Sequence, residues 1–199
     1  MQKEVTAALS QGLYPILKKH GFAGSGTTKR RVLDPVIHVF NVQGSQGAHG
    51  CYLNLGVHIA GLASAGGGPA TTEPKEYECL FRQRLEPSAG FGRGIWLYDA
   101  PGGLEKLVEA MSNAFIADGR AYFSRYSEWP ASFVSLVQAA IDSRMHPSQI
   151  LIHAYLAQRL GMADQTRALA ERALNEAPAA ATGLKANARA ILEEGITAR

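Results

Sequence analysis

Val5, Leu9, Leu13, Ile16 and Leu17 recur at the helical period and fall on one face, which predicts a first helix over residues 3 to 20. Gly21 supplies a left-handed residue just past its end and Phe22 can fold back onto Leu17, an arrangement that stops a helix. Pro15 removes one backbone donor inside the run, so a kink is expected there. The pattern then changes to β-branched and aromatic segments bounded by turn residues. These predict strands near residues 27 to 33, 36 to 43, 50 to 59 and 76 to 85, with a shorter one at 95 to 98. Asp34 and Pro35, and residues 43 to 47, are short enough to be hairpin connections, so the first three strands should form an antiparallel meander. The loop from Gly61 to Pro74, with Gly66, Gly67, Gly68 and Pro69 at its centre, lacks the GK[ST] ending of a phosphate-binding loop and reads as slack.

A second long helix is expected to start near Pro101, with Leu104, Leu107, Val108, Met111 and Phe115 as its apolar stripe. After Tyr126 the strand signals stop. Phe133, Leu136, Val137, Ala140 and Ile141 repeat helically, and further helices follow over 148 to 160, 163 to 176 and 183 to 197, punctuated by His146 and Pro147, Gly161, and Ala177 and Pro178. The segment from Ala157 to Pro178 is weakly like the second half of a tetratricopeptide-type repeat. One such unit does not make a solenoid, which needs about three. The expected architecture is therefore an α+β domain of residues 1 to 126 and a helical extension of residues 127 to 199, made of helical hairpins. The domain should hold a mostly antiparallel sheet of four to five strands with helices packed on one face.

Period-two alternation sorts the strands into faces. Val36, His38, Phe40 and Val42, with Cys51, Leu53, Leu55, Val57 and Ile59, and with Cys79, Phe81 and Leu85, make an apolar face suited to covering by helices. The opposite face gathers Asn41, Gln43, Asn54, His58, Arg82 and Arg84, and these six are the candidate ligand-binding residues. Two arginines on one strand match carboxylate or phosphate, and neighbouring amides could orient the ligand. The bland alternative is a solvated sheet face on which the arginines pair with Glu78 or Glu86.

Composition narrows the classes. With 46% hydrophobic and 19% charged residues the chain should fold, and no apolar run approaches the length that spans a bilayer, so a cytoplasmic location without membrane association is expected. Cys51 and Cys79 read as buried reduced thiols inside strands. The net charge of +3 is concentrated before residue 127, and Lys18, Lys19, Lys29, Arg30 and Arg31 fall in a window, residues 5 to 33, that contains no acid. That window could attract phosphate, although such a run usually lies on a solvated surface. His20, His38, His49, His58, His146 and His153 show no metal-ligand spacing, His38 reads as a core residue, and no nucleophile elbow or dinucleotide fingerprint occurs. No cofactor, metal or catalytic residue is implied. Trp96 and Tyr98 read as core or rim aromatics.

Leu17 to Phe22, the strand end Val39 to Ser45, the strand Tyr52 to Val57 and the run Cys79 to Leu85 occur in an order that resembles a bacterial family, domain-of-unknown-function family 4304, over about residues 5 to 125. The resemblance implies an α+β domain and no known activity, so it supplies no catalytic residues. Family members often carry Lys where this chain has Gly44, and His where it has Leu80. The expectation is a non-enzymatic binding or protein-interaction module, of an immunity-like kind, with a protein partner favoured over nucleic acid. A binder of nucleic acid or another anion, and an enzyme with an unrecognised site, stay open, as does the oligomeric state.

Overall fold

The computed structural model describes residues 2–63 and 68–197. Gly66 and Gly67, the centre of the loop expected to be slack, lie outside the described residues. The chain forms two compact units: Met1–Ala60 with Thr72–Arg125, and Gly61–Thr71 with Tyr126–Arg199.

In the first unit the expected opening helix is two helices, α1 (Lys3–Gln11) and α2 (Leu13–Lys19), broken at Gly12 rather than kinked at Pro15. The proline is still the cause. Its ring would collide with the carbonyl four residues back, that of Gln11, and it has no N–H to donate there. Pro15 therefore takes a place in the first turn of α2, where the missing donor is harmless. The helix stop is as expected: Gly21 has φ 83. Phe22 N–H donates to the Leu17 carbonyl at 3.0 Å and Gly21 N–H to that of Lys18 at 3.0 Å, the paired closure of a Schellman motif.

Strands β1 (Thr28–Leu33), β2 (Val36–Gly44), β3 (Gly50–Ile59) and β4 (Phe81–Leu85) pair antiparallel in that order, and β5 (Trp96–Leu97) pairs with the start of β3. The fourth strand is shorter than its sequence suggests. Residues Glu76–Glu78 form a 3-10 turn instead, because the Glu78 carboxylate takes up the Lys75 N–H at 2.6 Å and Cys79 N–H closes on the Glu76 carbonyl at 3.1 Å. Cys79 thus lies outside any strand.

Helices α3 (Gly103–Ala114) and α4 (Arg120–Ser124), joined by a π turn (Phe115–Gly119), supply aromatic side chains to the apolar face of the sheet. The start falls two residues past Pro101, after Gly102 at φ 87. Eight residues separate Phe115 from Phe123, which overshoots two turns at about 3.6 residues each. The π turn takes up the surplus. Phe115 meets Phe40 edge-on at 5.6 Å, and Phe123 stacks on His38 at 4.7 Å. Phe22 touches both phenylalanines, at 5.9 and 5.1 Å. His38, fully buried, is satisfied by the Arg31 guanidinium at 2.9 Å. Since an arginine cannot accept, the imidazole Nδ1 must be the acceptor.

The second unit holds α5 (Ala131–Asp142), α6 (Pro147–Arg159), α7 (Ala163–Glu176) and α8 (Thr182–Thr197). Helix α6 is its centre: Ile150, Leu151, Ile152, Ala154, Leu156 and Ala157 are all buried, and α5, α7 and α8 pack against it. Gly161, at φ 71, turns the α6–α7 hairpin. Arg172 of α7 closes the end of α5, donating from Nη1 to the carbonyls of Ala140 and Ile141, both at 3.0 Å, and from Nη2 to that of Ser143 at 2.7 Å. These are the carbonyls a helix end leaves without partners.

Cys79 packs on the face opposite to the one its expected strand parity assigned. It sits with Ile37 and Val39, over Gly56, where a Cβ would come within 2.6 Å of its sulfur and 2.9 Å of its own Cβ. Gly56→Ala should therefore cost about 1–3 kcal/mol by overpacking, read by urea denaturation. Adding Cys79→Ala should give a double variant less damaged than the sum of the singles, and a Gly56→Ala protein as stable as the parent would refute the contact. Both thiols are fully buried, and burial pushes Cys51 up to about 11 and Cys79 higher still. A thiol reagent at pH about 8 should label neither in the native protein and both in denaturant, since the thiolate is the reactive form. Fast native labelling of either would contradict this.

Candidate functional site

Register places the polar candidates in rows across the sheet. Thr28, Asn41, Asn54 and Arg84 lie directly opposite one another on β1 to β4. Arg30, Val39, Gly56 and Arg82 form the next row, and Val32, Ile37 and His58 the row beyond it. On the other side of Asn41 and Asn54, Gln43 faces Tyr52. All six candidates thus share one face, as alternation requires.

That face is not uniform. Residues 73 to 80 lie over one half of it. Arg30 donates to the Pro74 carbonyl at 2.9 Å and the Glu73 carbonyl at 3.2 Å, Cys79 seats on Gly56, and Arg82 pairs with Glu76 at 2.7 Å. Under this roof Ile37 and Val39 pack with Cys79, and His58, opposite Ile37, is buried as well. His58 is buried two rows from Asn54, and Arg82 belongs to the border. Its acid is Glu76, not the Glu78 or Glu86 that sequence proximity offered. Glu78 instead accepts the Lys75 N–H, and Glu86 the Gly94 N–H at 3.1 Å.

The uncovered half brings together Asn41, Gln43, Asn54 and Arg84, and adds Thr28 and Tyr52. A single donor direction runs through it. Arginine only donates, so its Nε–H, 3.3 Å from Asn54 Oδ1, obliges Asn54 to present its carbonyl there and its amide on the other side. That amide donates to Gln43 Oε1 at 3.0 Å and to Asn41 Oδ1 at 3.4 Å, and Asn41 in turn donates to Thr28 Oγ1 at 2.9 Å. Asn54, only 2% exposed, has its carbonyl and both amide hydrogens satisfied. The Arg84 guanidinium lies 4.2 Å from the centre of the Tyr52 ring. It is exposed, and among the described residues no acid lies within ion-pair distance of it. The ring contact and the Nε bond hold the guanidinium, and among the described residues its two terminal nitrogens make no hydrogen bond.

Thr28 and Tyr52 were not legible as site residues. Tyr52 has the parity of Asn54, but only the pairing of Asn54 with Arg84 shows that its ring lies where the guanidinium does.

The basic stretch divides. Arg31 faces the helices, bonded to His38 and to the His20 carbonyl at 3.3 Å, and Arg30 holds the roof on the other face. Lys18 and Lys19 are left exposed, and Lys29 is half-buried on the helix side. Among the described residues no group of three or more His, Cys, Asp or Glu could hold a metal ion, and no helix is long and apolar enough to cross a membrane.

The family profile of a domain of unknown function, DUF4304, matches residues 13–125, more than half of the chain. No curated protein and no solved structure matches it.

The two arginines should separate in stability measurements. Arg84→Ala removes an exposed side chain and should cost within about 0.5–1 kcal/mol. Arg82→Ala leaves the Glu76 carboxylate, 8% exposed, without its partner; with Arg82 itself about half exposed, the loss should be about 1–2 kcal/mol. Denaturant melts of both variants check the order, and an Arg84 loss larger than the Arg82 loss would reverse the assignment of exposed and structural arginine.

Proposed function

We propose, for a chain that belongs to this DUF4304 family of unknown function, a non-enzymatic binding role in which a partner protein presents a carboxylate to the open half of the sheet face. The observation that carries the reading is Arg84, an exposed guanidinium held by Tyr52 and Asn54 with no acid at ion-pair distance among the described residues. A fork held in one plane has already lost much of the rotamer freedom that binding would cost, and its two outer nitrogens match the two oxygens of a carboxylate. The groups around it are amides, a hydroxyl and a phenol ring. Amides and guanidinium neither take nor release protons near neutral pH, so this half of the face is equipped to hold and orient a ligand rather than to turn one over. Gln43, exposed beside Tyr52, can add a further hydrogen bond to a peptide group.

The test is fluorescence anisotropy with an array of short capped peptides that differ in Asp and Glu content. Acidic members should bind the parent protein, and Arg84→Ala should weaken them at least tenfold, equivalent to about 1.4 kcal/mol. Arg84→Lys should fail nearly as badly, because an ammonium has no planar fork to stack and present. Arg82→Ala should bind normally. Equal binding of acidic peptides by parent and Arg84→Ala would overturn the proposal, as would Arg84-dependent micromolar binding of duplex or single-stranded nucleic acid at physiological salt.

A further inference from the structure

A cleft of about 550 Å³ opens at the other side of β1, between α2 and the turn that leads from Phe22 into the strand. Its lining includes Ser10, Tyr14, Pro15, Lys18, Gly24 and Lys29. Both ionisable side chains among these that carry charge at neutral pH are cations. The lining holds no acid, residues 5 to 33 contain none, and neither lysine belongs to an ion pair among the described residues. Lys29 is also held in place. Its ammonium donates to the Gly24 carbonyl at 2.7 Å and lies 4.4 Å from the centre of the Tyr14 ring, which leaves donor capacity for a third partner.

We propose that this cleft binds a small phosphate monoester with an apolar body, its phosphate on Lys29 and Lys18 and its body against Pro15 and the neighbouring turn. Two ammoniums are point charges without the planar fork that selects a carboxylate, so they suit a tetrahedral dianion. The volume is that of a small-molecule site and not of a track along a polymer. Pro15 and Ala23 offer exposed apolar surface at the mouth, and Phe22, nearly buried, backs it. Tyr14 does not repel an anion: burial pushes its phenol up to about 12, so it stays neutral. Burial also lowers the proton affinity of Lys29, the signature of an ammonium partly withdrawn from water with no anion to compensate it. A bound phosphate supplies that anion, so Lys29 should hold its proton more strongly in the complex.

Phenyl phosphate is the probe, titrated into isotopically labelled protein and followed by backbone amide NMR, with inorganic phosphate, benzoate and sodium chloride at matched ionic strength as parallel arms. The expected result is a saturable shift centred on Gly24, Lys29 and Lys18, strongest for phenyl phosphate, weaker for inorganic phosphate and weakest for benzoate. Lys29→Met and Lys18→Met, which keep the side-chain stems, should each bind at least tenfold more weakly, while Arg84→Ala should bind as the parent does. Direct titration of the Lys29 ammonium should show its pKa rising on binding. Shifts scattered over all surface lysines, or reproduced by sodium chloride, would mean simple screening and overturn the site. So would preferential binding of benzoate, or normal affinity in Lys29→Met. A ten-nucleotide single strand that displaces phenyl phosphate and binds more tightly would also overturn it, in favour of nucleic acid. Should one lysine variant fold poorly, the other variant and the mapped shifts still decide.

Discussion

Strand β3 is buried on both faces along almost its whole length, and the organisation of the first unit depends on that constraint. On the helix side Leu53, Leu55, Val57 and Ile59 are fully buried, beneath a cover to which Phe22, Phe115 and Phe123 contribute. On the other side the strand carries Asn54, Gly56 and His58, which ordinarily would face water. Gly56 changes this. Without a side chain it admits the sulfur of Cys79, and residues 73 to 80 can then lie on the sheet, anchored at Arg30 and Arg82. A methyl group at that one position would collide with the Cys79 side chain.

Two kinds of polar surface result on one face. Beneath and along the roof, polar groups are committed to structure: Arg30 to backbone carbonyls, Arg82 to Glu76. Beyond its edge, the row from Thr28 to Arg84 ends in an exposed guanidinium, and its hydrogen bonds run in one direction because the residue at its end can only donate. The buried Asn54 is fully satisfied by its neighbours, and this rigidifies the arginine that it holds. An exposed cation is thereby fixed by groups that are themselves fixed, which distinguishes Arg84 from a surface side chain that merely happens to be charged.

The cations of β1 show the same sorting by alternation. Lys29 and Arg31 point to the helices and Arg30 to the roof, so three consecutive positive charges serve three different surroundings. Arg31 is absorbed into the core beside His38 and Phe22, Arg30 ties the roof, and Lys29 reaches the cleft beside Tyr14. A basic run in sequence is thus not a basic patch in space.

By itself the sequence determined the elements whose causes are local. The Schellman stop at Gly21 and Phe22, the hairpins at Asp34 and Pro35 and after Gln43, the facing of Asn41, Asn54 and Arg84, and the helices after Tyr126 all follow from backbone preferences and from period two or 3.6. Only tertiary structure decided what depends on contacts distant in the chain. The break at Gly12 arises from a clash local to Pro15, yet it is accommodated where Val108 comes close enough that a Cβ at Gly12 would touch it. Glu76 rather than Glu78 became the partner of Arg82 because a 3-10 turn replaced the start of a strand. Cys79 crossed to the opposite face for the same reason. His58 was buried and Arg84 left exposed although both share one parity, a difference that no alternation encodes. Parity says which side of a sheet a residue faces, but whether that side meets water depends on what else the chain lays upon it.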